Sequence, residues 1–231
     1  MIGDGQFMGF YPAFLNLSGK ECLVVGGGRL ALHKTDDLRA AGARVTVVAP
    51  RFAPGFGRMK EVRLIRRAFR PSDLLPGPWL VIAATDDEAL HARIAQRCRE
   101  RRIWVNVVDR PRLCDFIVPS VVRRGPVTFA VSTGGLSPAV AKYLGADLRG
   151  RYGVEVGRLA AVLKGLRGEL LKVPLRARRK LLERLVTKSW MDRFQSDARG
   201  ATVAFRSVAS RKIKALTLPS PQRRGKITSE S

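Results

Sequence analysis

A short apolar run that stops at three consecutive glycines constrains this chain more than any other stretch. Glu21-Cys22-Leu23-Val24-Val25 leads into Gly26-Gly27-Gly28, and Leu30, Ala31, Lys34, Leu38 and Ala41 follow at spacings of three and four. That is a strand, a tight turn and the start of a helix. Gly26, Gly28 and Ala31 fit G-x-G-x-x-G/A at the junction where a dinucleotide fingerprint sits. Gly26 permits the turn, Gly28 lets a pyrophosphate approach the backbone, and Ala31 allows the helix to pack closely on the strand. The unbonded N–H groups and the positive dipole end of the helix would face phosphate oxygens. An ordinary tight turn is the plainer alternative.

The rest of the first half repeats the theme. Gly42 closes the first helix as a C-terminal glycine. Arg44 to Ala49 is a β-branched strand stopped by Pro50, Val62 to Arg66 a weaker one, and Trp79 to Ala84 a strand apolar on both faces. Asp86-Asp87-Glu88 opens a helix to about Arg101, and Ile103 to Val108 forms a fifth strand. Strands alternating with helices predict a doubly wound, Rossmann-type parallel sheet, an α/β fold whose ligands lie beyond the carboxyl ends of the strands. Gly26–Ala31, Ala49–Arg51, Thr85–Asp87 and Asn106–Asp109 then share one rim.

The pattern changes at Pro111. Phe116 to Val122 and Val127 to Ser132 read as a hairpin around Arg123-Arg124-Gly125-Pro126. Thr133-Gly134-Gly135-Leu136-Ser137-Pro138 follows, with Ser137 suited to cap a helix that Pro138 begins and that runs to about Leu148. Helices are expected over about Val154 to Leu171 and Leu175 to Ser189. From about Asp197 the periodicity fades, and the expectation is a mostly unstructured basic tail.

Candidate chemistry is sparse. Asp109 follows the fifth strand at the rim, where a carboxylate can take a proton as a hydride departs; a turn-forming Asp ahead of Pro111 is the alternative. Ser132 to Ser137 is a glycine-rich loop feeding a helix N-terminus, hence a candidate anion site or simply a connection. His33 and His91 show no metal spacing, and Cys22, Cys98 and Cys114 form neither a disulfide framework nor a zinc motif, so no metal site is expected. The second strand ends Ala49-Pro50-Arg51 without the acidic residue that commonly grips a ribose hydroxyl. Arg51 tolerates a 2′-phosphate, so the residues leave NAD and NADP both open.

Bulk properties narrow the partners. The chain has 231 residues, 45% of them hydrophobic, enough for a real core. No apolar stretch reaches the roughly 18 residues of a membrane span, and Met1 to Gln6 lacks the pattern of a signal peptide, so a cytoplasmic location is expected. A net charge of +24 and a pI near 11.4 attract polyanions. The excess is densest beyond residue 150, with Arg176, Arg178, Arg179 and Lys180 clustered. Charge of this kind makes nucleic-acid binding non-specific unless it saturates at physiological salt.

Taken together, the motifs resemble precorrin-2 dehydrogenase, the stand-alone form of the N-terminal module of siroheme synthase. The matching pieces, in order, are Phe10-Tyr11-Pro12, Leu15-Asn16-Leu17, Val24 to Gly28 with Ala31 and Lys34, Ala41-Gly42-Ala43, Val45 to Pro50, and Ala83 to Asp87. The most diagnostic are Val105-Asn106-Val107-Val108-Asp109, Leu113-Cys114-Asp115-Phe116 and Ser132 to Pro138. The resemblance implies a homodimer that oxidises precorrin-2 to sirohydrochlorin with NAD; in some members the same site then inserts ferrous iron. It implies an NAD-binding domain over 1–112, a dimerisation segment over 113–150 and a helical domain over 151–196, before the tail at 197–231. The essential aspartate falls on Asp109. The family's cofactor contacts fall on Arg29, Leu30, Pro50 and Arg51; the fingerprint adds Gly26, Gly27 and Gly28, and rim position adds Thr85. The family's substrate-region serine falls on Ser132; the reading of its loop as an anion site adds Thr133, Gly134, Gly135 and Ser137, and rim position adds Asn106. A polycarboxylate substrate suits a basic cleft. A non-catalytic NAD-sensing domain would share the glycine turn but leaves Asn106–Asp109 and the Ser132–Ser137 loop without a task.

Overall fold

The computed structural model describes residues 9–217. The chain divides into two units: residues 1–119 with 132–138, and residues 120–131 with 139–231.

The first unit is built on a five-stranded parallel sheet in the order β3-β2-β1-β4-β5. Its strands are β1 (Glu21–Val25), β2 (Arg44–Ala49), β3 (Arg63–Arg66), β4 (Leu80–Ala83) and β5 (Trp104–Val107). The order is that of the first half of a Rossmann sheet. Both faces are covered, which is why these strands read as apolar runs without alternation. Leu23, Val25, Val48, Val81, Ala83, Val105 and Val107 meet Ile94, Ala95 and Cys98 of helix α2 (Glu88–Glu100). Cys22, Val24, Val45, Val47, Leu80 and Ile82 meet Ala31 and Leu38 of helix α1 (Arg29–Ala40).

The expected strand–helix alternation holds only after β1 and β4. Short 3-10 turns, Pro54–Arg58 and Pro71–Leu74, replace the helices flanking β3. Pro54, Gly55, Gly57, Pro71 and Pro76 disfavour a longer helix there. The sheet is sealed at those places by single side chains: Phe56 and Leu74 are fully buried. An Arg67–Asp73 clip holds the second turn, with Arg67 Nη1 donating to Asp73 Oδ2 at 2.8 Å. Burial pushes the Asp73 carboxyl up, but Arg67 and the Arg70 N–H outweigh that, and its net shift is down.

Burial also marks the thiols of this unit. Desolvation, helped by Glu21, pushes Cys22 up to about 11; desolvation, helped by Asp115, pushes Cys98 up to about 12. The folded chain therefore keeps protons that an unfolded thiol releases above about pH 8.5. Their contribution to stability is complete below that pH and is lost as pH rises through 11 and 12. Iodoacetamide at pH 8 is expected to leave both thiols unmodified in the native protein, and denaturant midpoints are expected to fall above pH 9. Prompt native-state alkylation of Cys98 would contradict this placement.

The second unit begins with an antiparallel hairpin, β6 (Ser120–Arg124) and β7 (Val127–Val131). Arg124 pairs directly with Val127, so the turn is the two residues Gly125-Pro126, shorter than the four-residue loop expected. Gly125 sits at φ 60, as the first position of a type II′ turn demands. Helix α3 (Pro138–Arg151) lies on this hairpin, with Gly145 close to Ser120. The Arg124 guanidinium donates to the carbonyls of Tyr152 at 2.6 Å and Arg149 at 2.8 Å, a cation on the negative end of α3.

Five more helices complete the unit: α4 (Val154–Gly165), α5 (Arg167–Leu171), α6 (Leu175–Leu185), α7 (Lys188–Ser196) and α8 (Ala198–Thr217). The last is a correction. Residues 198–217 were expected to lack structure, yet they form the longest helix among the described residues. Ala201, Phe205, Ala209 and Ile213 make a buried stripe at spacings of four. Only two of those side chains are large, so the stripe is faint in the sequence; it becomes stable by docking against Leu159, Val162, Leu185 and Phe194. The remainder of the expected tail, 218–231, lies outside the described residues.

Phe205 is the keystone of this packing, 5.0 Å from the Trp190 ring and 6.0 Å from Phe194 between centroids. Phe205→Ala is expected to destabilise the helical unit by about 3–5 kcal/mol. Denaturant unfolding, with hydrogen exchange in α4 and α7 as the local probe, measures it. A loss below about 1 kcal/mol would mean that α8 does not hold this core together.

Candidate active site

The parallel register places the loops of the sheet rim. Val25 pairs with Ala83, and Ala83 with Val107, so the segments after β1, β4 and β5 leave the sheet side by side. Backbone bonds continue the alignment past the strand ends: Gly26 N–H to Val48 O at 3.0 Å, Ala84 N–H to Val25 O at 2.8 Å and Val108 N–H to Ala83 O at 3.0 Å. The glycine turn and the end of β5 are thus two strand spacings apart, about 10 Å.

The three glycines have three different physical reasons. Gly26 lies at φ 128, and a Cβ there would collide with the Ala84 carbonyl. Gly27 needs its missing side chain for packing, since a Cβ would collide with the Arg51 carbonyl; Ala53 N–H also donates to Gly27 O at 2.8 Å. Gly28 is in extended backbone at φ −77, which any residue adopts, and a Cβ there would meet nothing within 4 Å. No side chain caps the first turn of α1. The bare N-terminus of α1, beside an open glycine, fits a pyrophosphate. Arg29 and Leu30 occupy the first two positions of the helix and are exposed, as are Pro50 and Arg51. Thr85 is half-buried; its N–H donates to His91 Nε2 at 3.3 Å and its hydroxyl accepts from Asp87 N–H at 3.3 Å.

Asp109 sits two residues beyond β5 with its side chain exposed and its backbone at φ 58. Few non-glycine residues adopt the left-handed region, and Asp is among the better tolerated there. Among the described residues no hydrogen bond or ion pair holds its carboxylate; neighbouring Arg110 pairs with Glu88 instead. The loop that carries Asp109 is tied back by the segment after it. Cys114 Sγ donates to the carbonyls of Val107 at 3.1 Å and Arg110 at 3.3 Å, and accepts from Val107 N–H at 3.2 Å. Asp115 accepts from Val105 N–H at 3.0 Å.

Two of the expected substrate contacts also serve the fold. Asn106 is buried, and its amide N–H donates to the Phe116 carbonyl at 2.9 Å; that bond holds the 114–116 segment against β5. Thr133 braces its own loop, accepting from Ser137 N–H and donating to Ser137 O, each at 3.0 Å. Its hydroxyl shapes the 132–137 loop. Ser132 Oγ accepts from Gly134 N–H at 3.0 Å and is exposed, free to donate outward. Gly134 and Gly135 take φ 65 and 88, turning the chain into α3. Residues 132–138 group with the sheet unit, although the hairpin before them and the helix after them belong to the other unit. Sequence spacing held no signal for that grouping, nor for the tasks of Cys114 and Asp115. Among the described residues, no group of three or more His, Cys, Asp or Glu could hold a metal ion, and no helix is long and apolar enough to cross a membrane.

Comparison with known proteins agrees with this geometry. Residues 13–120 match a family model described as "Putative NAD(P)-binding". A siroheme synthase of Thioalkalivibrio sulfidiphilus is 44% identical over 197 residues, covering 82% of this chain and 40% of that protein. A siroheme synthase of Escherichia coli O1:K1 is 41% identical over 165 residues, 71% of this chain and 36% of that protein. The chain thus spans about two fifths of the length of the curated relatives it matches. A solved structure titled SirC, precorrin-2 dehydrogenase, superposes with a TM-score of 0.71 at 23% identity, covering 87% of this chain and all of that one, which shows a shared fold. With a Rossmann-type sheet, an NAD(P)-binding match and long, close alignments, the chain is a relative of the siroheme synthases over the portion it matches and shares the fold of the solved precorrin-2 dehydrogenase.

Proposed function

We propose that the chain oxidises precorrin-2 to sirohydrochlorin, with Asp109 as general base. The observation that carries this reading is the Asp109 carboxylate itself: exposed, without an ion-pair partner among the described residues, and held in left-handed backbone at the rim, two strands from a glycine turn that fits a dinucleotide. The nicotinamide of bound NAD supplies the hydride acceptor. Gly26, Gly27 and Gly28, with the N–H groups of Arg29 and Leu30, would hold the pyrophosphate, and Pro50, Arg51 and Thr85 would contact the rest of the dinucleotide. The oxidation removes one hydride and one proton from the macrocycle, and Asp109 takes the proton. Ser132, Gly134, Gly135 and Ser137 bind substrate carboxylates, assisted by the net charge of +24.

The hairpin supports a homodimer. A lone two-stranded ribbon is marginal by itself, and α3 beside it exposes Tyr143 and Leu144, apolar surface that a second copy would cover. Purified protein given anaerobically prepared precorrin-2 and NAD should form NADH and sirohydrochlorin, with the mass of a dimer in solution. Dinucleotide binding without any turnover would favour the sensing-domain alternative.

A further inference from the structure

The turn that presents Asp109 holds an ill-suited residue at its tightest point. Arg110 N–H donates to Val107 O at 3.2 Å, closing a four-residue turn over 107–110. Asp109 is the third residue of that turn, at φ 58. Positive φ at the third place is the type II pattern, which suits glycine best and asparagine next. Glycine carries no carboxylate, so a base at the rim requires a residue that the turn does not favour. A side chain in such backbone persists only when its surroundings over-determine it.

The contacts that do so converge on one atom. Cys114 Sγ accepts from Val107 N–H at 3.2 Å and donates to Val107 O at 3.1 Å and to Arg110 O at 3.3 Å. Those groups belong to the first and last residues of the turn, so the sulfur bridges its open side. A single S–H hydrogen serves both carbonyls. Burial pushes the Cys114 thiol up in spite of the Val107 N–H, so the sulfur keeps that hydrogen. The thiol is itself anchored on either side: Cys114 N–H donates to Pro111 O at 3.1 Å, and Asp115 N–H to Val105 O at 2.8 Å. Cys114 also packs against the core of the sheet. Any small apolar side chain would serve that packing; none would make three backbone bonds to the two ends of one turn.

We propose that Cys114 is a positioning residue for the reaction: it holds turn 107–110 closed and so fixes the direction of the Asp109 carboxylate. The proposal rests on the reading of Asp109 as the base, and it assigns Cys114 no contact with dinucleotide or substrate.

The test compares the full chain as wild type, Cys114→Ala, Cys114→Ser and Cys98→Ala. It measures anaerobic precorrin-2 oxidation per folded protein, NAD titration and hydrogen exchange of the Val107 amide. Cys114→Ala should lower kcat by about tenfold, the scale of one lost hydrogen bond, and leave KM and NAD affinity within about twofold, well short of such a bond. Its Val107 amide should exchange about tenfold faster, because the acceptor of that N–H is gone. Cys114→Ser should recover kcat to within about threefold of wild type, since a hydroxyl both donates and accepts. Cys98 is buried in the core of the sheet. Cys98→Ala should lower the denaturant midpoint yet leave kcat within about twofold, which separates stability from positioning. In the slow Asp109→Asn background Cys114→Ala should cost nothing more, as for two residues that act as a unit. Wild-type kcat in Cys114→Ala, a serine variant as slow as alanine, or an equal loss in the Asp109→Asn background would overturn the positioning role alone. No turnover by wild type would overturn the general-base reading and the proposal together.

Discussion

Replacing Asp109 with Ala is expected to lower the rate of precorrin-2 oxidation by about 10² to 10⁴, the usual contribution of a positioned general base, with dinucleotide affinity unchanged. The separation is possible because Asp109 is two strand spacings from the glycine turn and lies outside both core clusters of the sheet. Its backbone at φ 58 complicates the reading of the Ala variant, because Ala tolerates that region less well than Asp. Asp109→Asn resolves this: Asn accepts left-handed backbone as readily and keeps the side-chain shape, but has no basicity. Stopped turnover in both variants, with NAD still bound, supports the carboxylate as the base. Activity retained in the Asn variant would show that residue 109 serves the backbone of the loop and that the proton leaves by another route.

The second large effect separates glycines that look alike. Gly28→Val is expected to leave folding intact and to weaken dinucleotide binding by about 100-fold or more, as branched carbons displace a pyrophosphate from two or more charge-assisted N–H bonds. Gly26→Val is expected to fail earlier, in folding, because its backbone is at φ 128 and a Cβ there would collide with the Ala84 carbonyl. Thermal unfolding and NAD titration of the two variants distinguish them. If Gly28→Val binds NAD normally, phosphate does not approach that glycine, and the turn is a connection between β1 and α1 only.

How far the site was legible follows the range of the forces that build it. Gly26, Gly28 and Ala31 could be assigned because a tight turn, an open approach and a close helix–strand contact each act within six residues. Asp109 could be placed at a strand end, but not its left-handed backbone or its freedom from ion pairing. Asn106 could be placed at the rim from its strand position, but the bond from its amide to the Phe116 carbonyl follows only from tertiary packing. Helix α8 was overlooked because a stripe containing two alanines carries little hydrophobic signal until Phe194, Leu159 and Leu185 close over it.

By itself the sequence determined the local elements: apolar runs that need cover on both faces, breakers at Pro50, Pro54 and Pro71, and a glycine turn with a single sensible geometry. Those depend on backbone conformation and side-chain period, which operate between near neighbours. The tertiary structure alone decided that residues 132–138 group with the sheet unit, and that Cys114 and Asp115 tie back the Asp109 loop. Each joins residues through sheet register or core burial, and such contacts form only when the whole apolar surface is withdrawn from water at once.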